Sequence, residues 1–288
     1  MADPRKKVPE NLPGDFYVDT SCIDCDTCRQ LAPSTFADAG EYSYVYSQPV
    51  GESERRLALR ALLACPTSSI GTQEKAAARE VMEDFPLPIE DGVYYCGFNA
   101  EASFGANSYF VTHPSGNWLI DSPRFLPFLA KKFAALGGLR YIFLTHRDDV
   151  ADAAKYAERF GAERIIHRAD AAAMPDAEIL VEGEAPHPIG KDFLIIPTPG
   201  HTRGHCVLLY RNRFLFSGDH LAYSREKKRL IAFRNANWYS WPETIRSMEK
   251  LKDFRFEWIL TGHGERLHLP PERMRAELDR VVDWMRAR

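Results

Sequence analysis

Short runs of apolar residues separated by Gly, Asn and Pro dominate the chain after about residue 90, and this pattern predicts β-strands joined by turns. The run at residues 141–145 is typical of a buried strand, and further strands are predicted at 164–167, 193–197, 206–210 and 214–217. Helices are predicted at residues 125–136, 149–160, 242–252 and 270–287. Because the strands come in runs with helices between and after them, we expect sheets covered by helices.

The first quarter of the chain has a different organisation. Short strands are predicted at 16–18 and 42–46, followed by an arginine- and leucine-rich helix at 52–64. Residues 74–91 read as a polar helix and then a proline-marked connection, which predicts a boundary there. The predicted divisions are a flexible arm at 1–14, a small domain at 15–75, a linker at 76–90 and a larger domain at 91–288.

Composition narrows the classes of partner. The 288 residues include 37 basic and 40 acidic side chains, a formal charge of −3, so no basic face for nucleic acid is expected. The apolar runs are shorter than the ~20 residues that span a bilayer, and the polar start lacks the apolar segment of a secretory signal. We therefore expect a cytoplasmic protein with neither nucleic acid nor membrane as a partner.

Four of the six cysteines form a motif of three closely spaced members and one distant member: Cys22, Cys25, Cys28 and Cys65. In a chain without a secretory signal, such clustering indicates metal binding rather than disulfides. Two-residue spacings let three thiolates from one loop bind adjacent irons of a cubane, and Pro66 suits the turn after the fourth ligand. A zinc site with four cysteines is the alternative, although zinc ribbons usually pair two CxxC knuckles. Cys96 and Cys206 are predicted to be buried packing residues.

Residues 15–72, with this motif, resemble a single-cluster bacterial-type ferredoxin. The resemblance implies one iron–sulfur cluster held by the four cysteines. A cysteine at position 25, where three-iron relatives often have another residue, favours the [4Fe-4S] form. Electron transfer with a redox partner protein is then an expected role.

A second set of motifs follows the predicted strands of the larger domain: Leu119-Ile-Asp121-Ser, Thr145-His146-Arg-Asp148-Asp149-Val-Ala-Asp152, Pro199-Gly-His201-Thr-Arg-Gly-His205, Ser217-Gly-Asp219-His220 and Thr261-Gly-His263-Gly. In this order they resemble the metallo-β-lactamase fold over about residues 90–288. The resemblance implies an αβ/βα four-layer sandwich with metal ligands at one edge. The whole chain is expected to be α+β, a small ferredoxin-like domain followed by this sandwich.

The resemblance also implies metal ligands, and one signature is altered. The first, third, bridging and last ligands match residues of this chain: His146, His201, Asp219 and His263. In the signature H-x-H-x-D-H, Asp148 replaces the second histidine. Without a gap, Val150 and Ala151 replace the last two ligands; a two-residue insertion recovers the aspartate as Asp152 but leaves Ala153 for the histidine.

Two interpretations of these aspartates stay open. Asp148 and Asp152 can serve as ligands of an oxygen-rich site, holding one or two zinc, iron or manganese ions, and carboxylates favour iron or manganese. Alternatively the site is vestigial, and Asp148, Asp149 and Asp152 begin a helix, where acidic residues favour the helix dipole.

The resemblance implies hydrolysis in which metals activate a water. We expect a metal-dependent hydrolase of a small ester- or thioester-type substrate, acting through a metal-bound hydroxide. Asp219 would bridge two metals or hold one, while His205 and His220 would orient ligands or protonate a leaving group. The alternatives are a cluster-fed non-haem iron oxidoreductase, since Asp148 is similar to a glutamate ligand of flavodiiron proteins, and a non-catalytic redox or binding module.

An aromatic stretch at residues 233–241 lies between the bridging aspartate and the last histidine. Trp238 and its neighbours can wall a substrate pocket in which Arg234 attracts an anion. They can equally pack the following helix under a loop.

Overall fold

The computed structural model describes residues 2–288, and at residues 75 and 76 the backbone only. The chain divides into two compact units. The first runs through Asn117 and also takes in Ser122–Gly138; the second combines Trp118–Asp121 with Leu139–Arg288. The division therefore differs from the boundary expected near residue 90, because the segment predicted as a linker forms a helix and a paired strand of the first unit. Within residues 2–288, no helix has the length and apolar character needed to cross a bilayer.

Within the described residues, the first unit contains four α-helices and seven short strands, besides short 3-10 turns. The helices are α1 (Thr27–Leu31), α2 (Gly51–Ala64), α3 (Lys75–Met82) and α4 (Pro127–Ala135). The strands are β1 (Tyr17–Val18), β2 (Phe36–Asp38), β3 (Ser43–Val45), β4 (Ile70–Gly71), β5 (Leu87–Glu90), β6 (Val93–Tyr95) and β7 (Tyr109–Val111). Antiparallel pairings of β1 with β4, of β2 with β3, and of β6 with both β5 and β7 organise this unit.

The amino-terminal residues are attached to the small core of this unit rather than loose. Val8 is 2% exposed and packs in a cluster with Phe16 and Leu59. The side chain of Asn11 donates to the backbone oxygens of Val8 and Val18 and accepts from the amide of Val18. Burial of one apolar side chain and satisfaction of several backbone groups by one amide thus hold the segment predicted as a flexible arm.

The second unit contains three α-helices and twelve strands, besides short 3-10 turns. The helices are α5 (Ala153–Phe160), α6 (Trp241–Lys250) and α7 (Pro271–Arg286). The strands are β8 (Trp118–Ile120), β9 (Tyr141–Phe143), β10 (Glu163–His167), β11 (Ile179–Val181), β12 (His187–Ile189), β13 (Phe193–Pro197), β14 (Cys206–Tyr210), β15 (Phe214–Gly218), β16 (Ala222–Ser224), β17 (Arg229–Ile231), β18 (Trp258–Thr261) and β19 (Leu267–His268). Helix α5 begins later than the predicted 149–160, because Arg147–Asp149 forms a 3-10 turn first.

Two sheets and their covering helices form the layers of the second unit. Strands β8, β9, β10 and β11 are parallel neighbours in that order. The other sheet has the order β12-β13-β14-β15-β18-β19, antiparallel except for the parallel pair β15 and β18. The rings of Trp118 in β8 and Phe193 in β13 stack at 4.2 Å between the sheets. Met248 of α6 and Leu278 of α7 pack on the outer face of the second sheet, against residues such as Val207.

The carboxyl ends of β9, β13, β15 and β18 lead into the segments that carry the histidine and aspartate motifs. The amide of Cys206 donates to Thr145 O at 2.8 Å, which joins the first sheet to the second at this edge. The parallel pairing of β15 and β18 sets Gly218 opposite Thr261. The residues that follow each strand therefore share one edge.

Candidate metal centre and iron–sulfur site

Five of the six predicted metal ligands converge on one point of the second unit. The carboxylate Oδ2 of Asp219 lies 3.9 Å from His146 Nε2, 3.7 Å from His201 Nε2 and 3.7 Å from His263 Nε2. Asp148 Oδ2 lies 3.4 Å from His201 Nε2 and 3.7 Å from His146 Nε2. The rings of His146 and His201 are nearly perpendicular, at 4.7 Å. Asp148 therefore faces the histidines, as a ligand does.

The donors at this point fit a divalent cation. Several buried atoms have no hydrogen-bond partner: His146 Nε2, His201 Nε2, Asp149 Oδ2 and Asp219 Oδ1. Such atoms are rare in proteins unless another group satisfies them. Ligands about 2.1 Å from a tetrahedral zinc ion are roughly 3.4 Å apart, close to the spacing here. Burial lowers the pKa of His146 to about 4, so its imidazole is neutral and able to bind a metal near neutral pH.

A hydroxyl holds His146 in the orientation that a ligand needs. Thr145 Oγ1 lies 3.0 Å from His146 Nδ1 and 3.0 Å from both carboxylate oxygens of Asp121. When the hydroxyl donates to Asp121, its oxygen accepts a hydrogen bond from Nδ1–H of His146, and the lone pair of Nε2 stays directed at Asp219. Asp121 from the first quoted motif thus acts through Thr145.

A buried carboxylate that sequence analysis missed fixes the loop of His201. Asp170 accepts hydrogen bonds from Thr202 Oγ1 at 2.5 Å, Gly204 N at 3.1 Å and Arg147 N at 3.1 Å. It therefore ties the segments that carry His146 and His201 to each other. Its signal in the sequence is an aspartate three residues after β10, at the same edge as the other strand ends.

His205 positions the carboxylate ligand rather than facing the centre. Its Nε2 accepts the backbone N–H of Asp219 at 3.2 Å, and its Nδ1 lies 2.9 Å from Thr198 Oγ1. Burial lowers the pKa of His205 well below its usual range, so the ring is neutral and Nε2 is an acceptor. Since both nitrogens are engaged within the protein, the geometry assigns His205 to holding Asp219.

His220 is fully buried, and its ring lies 5.7 Å from that of His205. Neither ring nitrogen has a hydrogen-bond partner, and burial lowers the pKa to about 3. Its catalytic role stays a prediction.

Replacing His205 with alanine is expected to weaken metal binding roughly 10- to 100-fold, the usual effect of losing a group that orients a ligand. The amide of Asp219 would lose its acceptor, and the carboxylate would lose its fixed orientation. Equilibrium dialysis with manganese measures the affinity, and His268→Ala, at an exposed histidine of the same unit, is the control. Equal affinities of the two variants would contradict the positioning role.

Besides Asp148, the aspartate of this segment that faces the histidines is Asp149 and not Asp152. Asp152 occupies the position before α5, where its Oδ1 lies 2.8 Å from Lys155 Nζ. Asp149 is 1% exposed and forms a potential cation-binding group with His146 and Asp219. The expectation for Asp152 rested on a two-residue insertion; the 3-10 turn at Arg147–Asp149 instead buries the earlier carboxylate.

The aromatic stretch at residues 233–241 was expected either to wall a pocket or to pack under a loop, and its residues differ in this respect. Trp238 is 59% exposed; its ring centre lies 6.2 Å from that of His201, and its amide donates to His201 O at 2.9 Å. Trp241 is partly buried and packs edge-on against Trp284 of α7 at 6.3 Å. Trp238 therefore borders the metal centre, and Trp241 is a packing residue. The guanidinium of Arg234 donates a hydrogen bond to the backbone oxygen of Arg288, the last residue.

The four cysteines of the first unit lie in two segments. Cys22, Cys25 and Cys28 lie in the loop before α1 and in its first turn, and Cys65 directly follows α2. All four are free thiols: Cys22, Cys25, Cys28 and Cys65. The loop contains Asp24 and Asp26 with left-handed backbone at φ 57° and 67°, a conformation that aspartate tolerates. Arg29 Nη1 and Nε bond their carboxylates at 2.7 and 2.8 Å, which stabilises the loop.

The sulfurs receive the hydrogen bonds that cluster thiolates need. Ser43 N donates to Cys22 Sγ at 3.5 Å, and Ser69 N donates to Cys65 Sγ at 3.3 Å. Burial, and secondly the proximity of the other three thiols, raise the pKa of Cys28 well above its usual range. Four cysteines gathered in this way, with backbone N–H groups donating to two of the sulfurs, fit an iron–sulfur cluster.

A loop after β6 closes against the cysteines within the first unit. The Nδ2 of Asn99 donates to Thr27 Oγ1 at 3.1 Å and to Gly105 O at 2.6 Å. A methyl group on Gly105 would lie 2.7 Å from Cys25 Cβ and 2.9 Å from its sulfur. Sequence analysis missed Asn99 and Gly105, because only the folded chain brings them to Cys25.

Comparison with known families agrees with the description of the cysteine site and with that of the histidine and aspartate site. Residues 18–72 match the 4Fe-4S single cluster domain of Ferredoxin I, and residues 103–263 match the metallo-β-lactamase superfamily. Since the second match covers more than half of the chain, the protein belongs to the metallo-β-lactamase superfamily, and it carries a ferredoxin-type iron–sulfur domain. The predicted resemblances and fold class are confirmed.

Curated relatives match part of the chain. The hydroxyacylglutathione hydrolase of Acidiphilium cryptum is 32% identical over 117 residues, 40% of this chain and 48% of the relative. The uncharacterized protein YobT of Bacillus subtilis is 34% identical over 111 residues, 36% of this chain and 46% of the relative. The chain thus spans about half the length of these relatives.

Solved structures share the fold at low sequence identity. A metallo-β-lactamase family protein from Thermus thermophilus superposes with a TM-score of 0.51 at 15% identity, covering 69% of this chain and 81% of that one. A β-lactamase from Chitinophaga pinensis gives 0.50 at 16% identity, covering 69% and 90%. These similarities establish the fold alone.

Proposed function

We propose that this protein is a metal-dependent hydrolase of a small thioester or ester. The observation that carries the proposal is the convergence of three histidine Nε2 atoms on one oxygen of Asp219, with the carboxylate of Asp148 facing two of those histidines. Imidazoles and carboxylates at this spacing are the donor set of a hydrolytic metal site.

The metal, when bound, polarises a carbonyl and lowers the pKa of a coordinated water. His146, Asp148, His201, Asp219 and His263 would hold it. Thr145 keeps the proton of His146 on Nδ1, and His205 fixes Asp219 through the backbone N–H. These contacts fix two of the residues, His146 and Asp219, before any substrate binds, which lowers the cost of organising the site.

A thioester is the substrate class that the similarities favour. Two of the curated relatives are named hydroxyacylglutathione hydrolase, and an acyl group on the thiol of glutathione is a thioester. The exposed rings of Trp238 and Tyr239 offer an apolar surface to a small organic substrate. An apolar surface of this kind beside the metal centre would orient a substrate whose polar end faces the metal.

A second candidate is oxidation or reduction at iron in the same centre, with electrons from the cluster and a redox partner protein. The acidic character of the centre, with Asp148, Asp149 and Asp219, favours iron or manganese over zinc. This candidate requires that turnover consume electrons. A non-catalytic module would show neither activity.

Removing the metal from protein purified without oxygen is expected to lower thioester hydrolysis at least roughly a hundredfold, since metal polarisation contributes several kcal/mol to the transition state. Re-addition of zinc or manganese should restore the rate. Loss of thioester absorbance measures hydrolysis of a hydroxyacylglutathione, and acid-labile sulfide, measured before and after chelation, controls for cluster loss. Absence of hydrolysis with every metal would overturn the proposal, and turnover that depends on a reductant would favour the second candidate.

A further inference from the structure

A buried hydrogen-bond network connects the loop after β6 with the cysteine loop inside the first unit. Its members are Tyr95, Asn99 and Thr27, each at most 1% exposed. The backbone N–H of Asn99 also donates to Ala64 O at 3.1 Å, one residue before Cys65. Asn99 is therefore bonded to both segments that carry the cysteines. Because buried polar groups are stable only when their hydrogen bonds are satisfied, the direction of each bond in this network can be assigned.

The acceptors around Asn99 fix the orientation of its amide. Its Nδ2 lies 2.6 Å from Gly105 O, 3.1 Å from Thr27 Oγ1 and 3.3 Å from Asn107 Oδ1. A carbonyl oxygen only accepts, so the nitrogen and not the oxygen of the amide faces Gly105. The hydroxyl of Tyr95 then donates to Asn99 Oδ1 at 2.7 Å. Thr27 Oγ1 consequently accepts a hydrogen bond from Asn99 and keeps its own proton to donate.

The proton of the Thr27 hydroxyl has two acceptors within reach. Cys25 Sγ lies 3.5 Å from Thr27 Oγ1, and Gly105 O lies 3.3 Å from it. A cysteine that binds a metal is a thiolate, so its sulfur has no proton and only accepts. Gly105 O already accepts the short bond from Asn99, whereas the thiolate is charged, and charged acceptors form the stronger hydrogen bonds. We therefore expect the hydroxyl to donate to Cys25.

We propose that Thr27, held in place by Asn99, donates a hydrogen bond to the Cys25 thiolate and thereby raises the reduction potential of the iron–sulfur cluster. When a four-iron cluster takes up one electron, its thiolate ligands share the added negative charge. A hydrogen bond to a sulfur stabilises this more negative state more strongly, so it favours the reduced form. Asn99 acts through Thr27 and is a positioning residue. The inference concerns the cluster and is independent of the hydrolysis proposed above.

A redox titration of the full chain, with its cluster intact and without oxygen, tests the proposal. Dithionite supplies the electron, and electron paramagnetic resonance measures the fraction of reduced cluster at each potential. Thr27→Val keeps the shape of the side chain and removes the hydroxyl. We expect it to lower the equilibrium constant for one-electron reduction about tenfold, which equals about 59 mV for a one-electron couple. Thr27→Ser keeps the hydroxyl and should retain the wild-type potential.

Two further variants separate the hydrogen bond from packing. Thr35→Val makes the same change at a fully buried threonine of the first unit, whose Oγ1 has no hydrogen-bond partner in the described part of the chain, and it should leave the potential unchanged. Tyr95→Phe removes the hydroxyl that donates to the amide oxygen of Asn99. It is expected to lower the potential by less than Thr27→Val does, because Asn99 keeps its bond to Gly105.

Three results would overturn the proposal: a wild-type potential in Thr27→Val, an equal shift in Thr27→Ser, or an equal shift in Thr35→Val. The last two would show that packing, and not the hydroxyl, sets the potential. If Thr27→Val does not assemble its cluster, as judged by iron and acid-labile sulfide per chain, Tyr95→Phe decides the matter. A wild-type potential in Tyr95→Phe would then overturn the proposal, and a lowered potential would support it.

Discussion

Replacing Asp219 with asparagine is expected to lower kcat/KM for thioester hydrolysis roughly a thousandfold. Its Oδ2 lies within 3.7–3.9 Å of nitrogens of all three histidines, so this carboxylate faces more of the candidate ligands than Asp148 does. Asparagine keeps the shape but removes the charge that a cation needs. Metal polarisation is worth several kcal/mol, and each 1.36 kcal/mol is a factor of ten in rate.

The kinetic measurement is paired with thermal unfolding. Wild-type protein should gain stability when metal is added, by about 2.7 kcal/mol at a concentration one hundred times the dissociation constant. The Asp219→Asn variant should gain little. Asp279→Asn makes the same chemical change on the exposed side of α7 and serves as the control. Full activity in Asp219→Asn would show that Asp219 is no ligand.

Replacing Gly105 with alanine is expected to prevent stable assembly of the iron–sulfur cluster. The new methyl group would lie 2.9 Å from Cys25 Sγ and 3.0 Å from Pro66 Cγ, and the backbone at φ 82° is left-handed. An alanine in that conformation costs about 1–2 kcal/mol, and overpacking costs about 1–3 kcal/mol more. The strain falls on a cluster ligand, so the thiolate is displaced.

Gly40→Ala is the matched control for this prediction. Gly40 also has left-handed backbone, at φ 98°, yet a methyl group there meets nothing within 4 Å. It therefore carries the backbone cost of about 1–2 kcal/mol without the clash. Iron and acid-labile sulfide per chain, after purification without oxygen, should be near wild type in Gly40→Ala and strongly reduced in Gly105→Ala. Equal cluster content in both would exclude Gly105 as part of the cluster wall.

The two family matches do not coincide with the two compact units. Residues 103–117 belong to the metallo-β-lactamase match, yet they fold within the first unit together with the cysteines. Gly105 and Asn99 provide the physical link, because they contact Cys25 and Thr27. Loss of the cluster is therefore expected to loosen this loop.

The convergence of four side chains on one point was predictable, because strand ends of a sheet meet at one edge. Each of His146, His201, Asp219 and His263 follows a buried apolar run, and this order identified them without coordinates. Three of the cysteines were equally predictable, since the two-residue spacings of Cys22, Cys25 and Cys28 make that part of the site local, and Cys65 was recognised by the proline that follows it. The prediction of the cysteine site relied on residues close in sequence, and the prediction of the histidine and aspartate site relied on the order of motifs along the chain.

The tertiary structure alone decided which carboxylates of the altered signature turn toward the histidines and which residues contact them. The sequence favoured Asp152 as a ligand, but the turn at Arg147–Asp149 buries Asp149, while the carboxylate of Asp152 lies 2.8 Å from Lys155 Nζ. His205 and Gly105 act through contacts with residues that are distant in sequence. Such contacts depend on backbone directions set by the packing of whole sheets and loops, so spacing along the chain does not determine them.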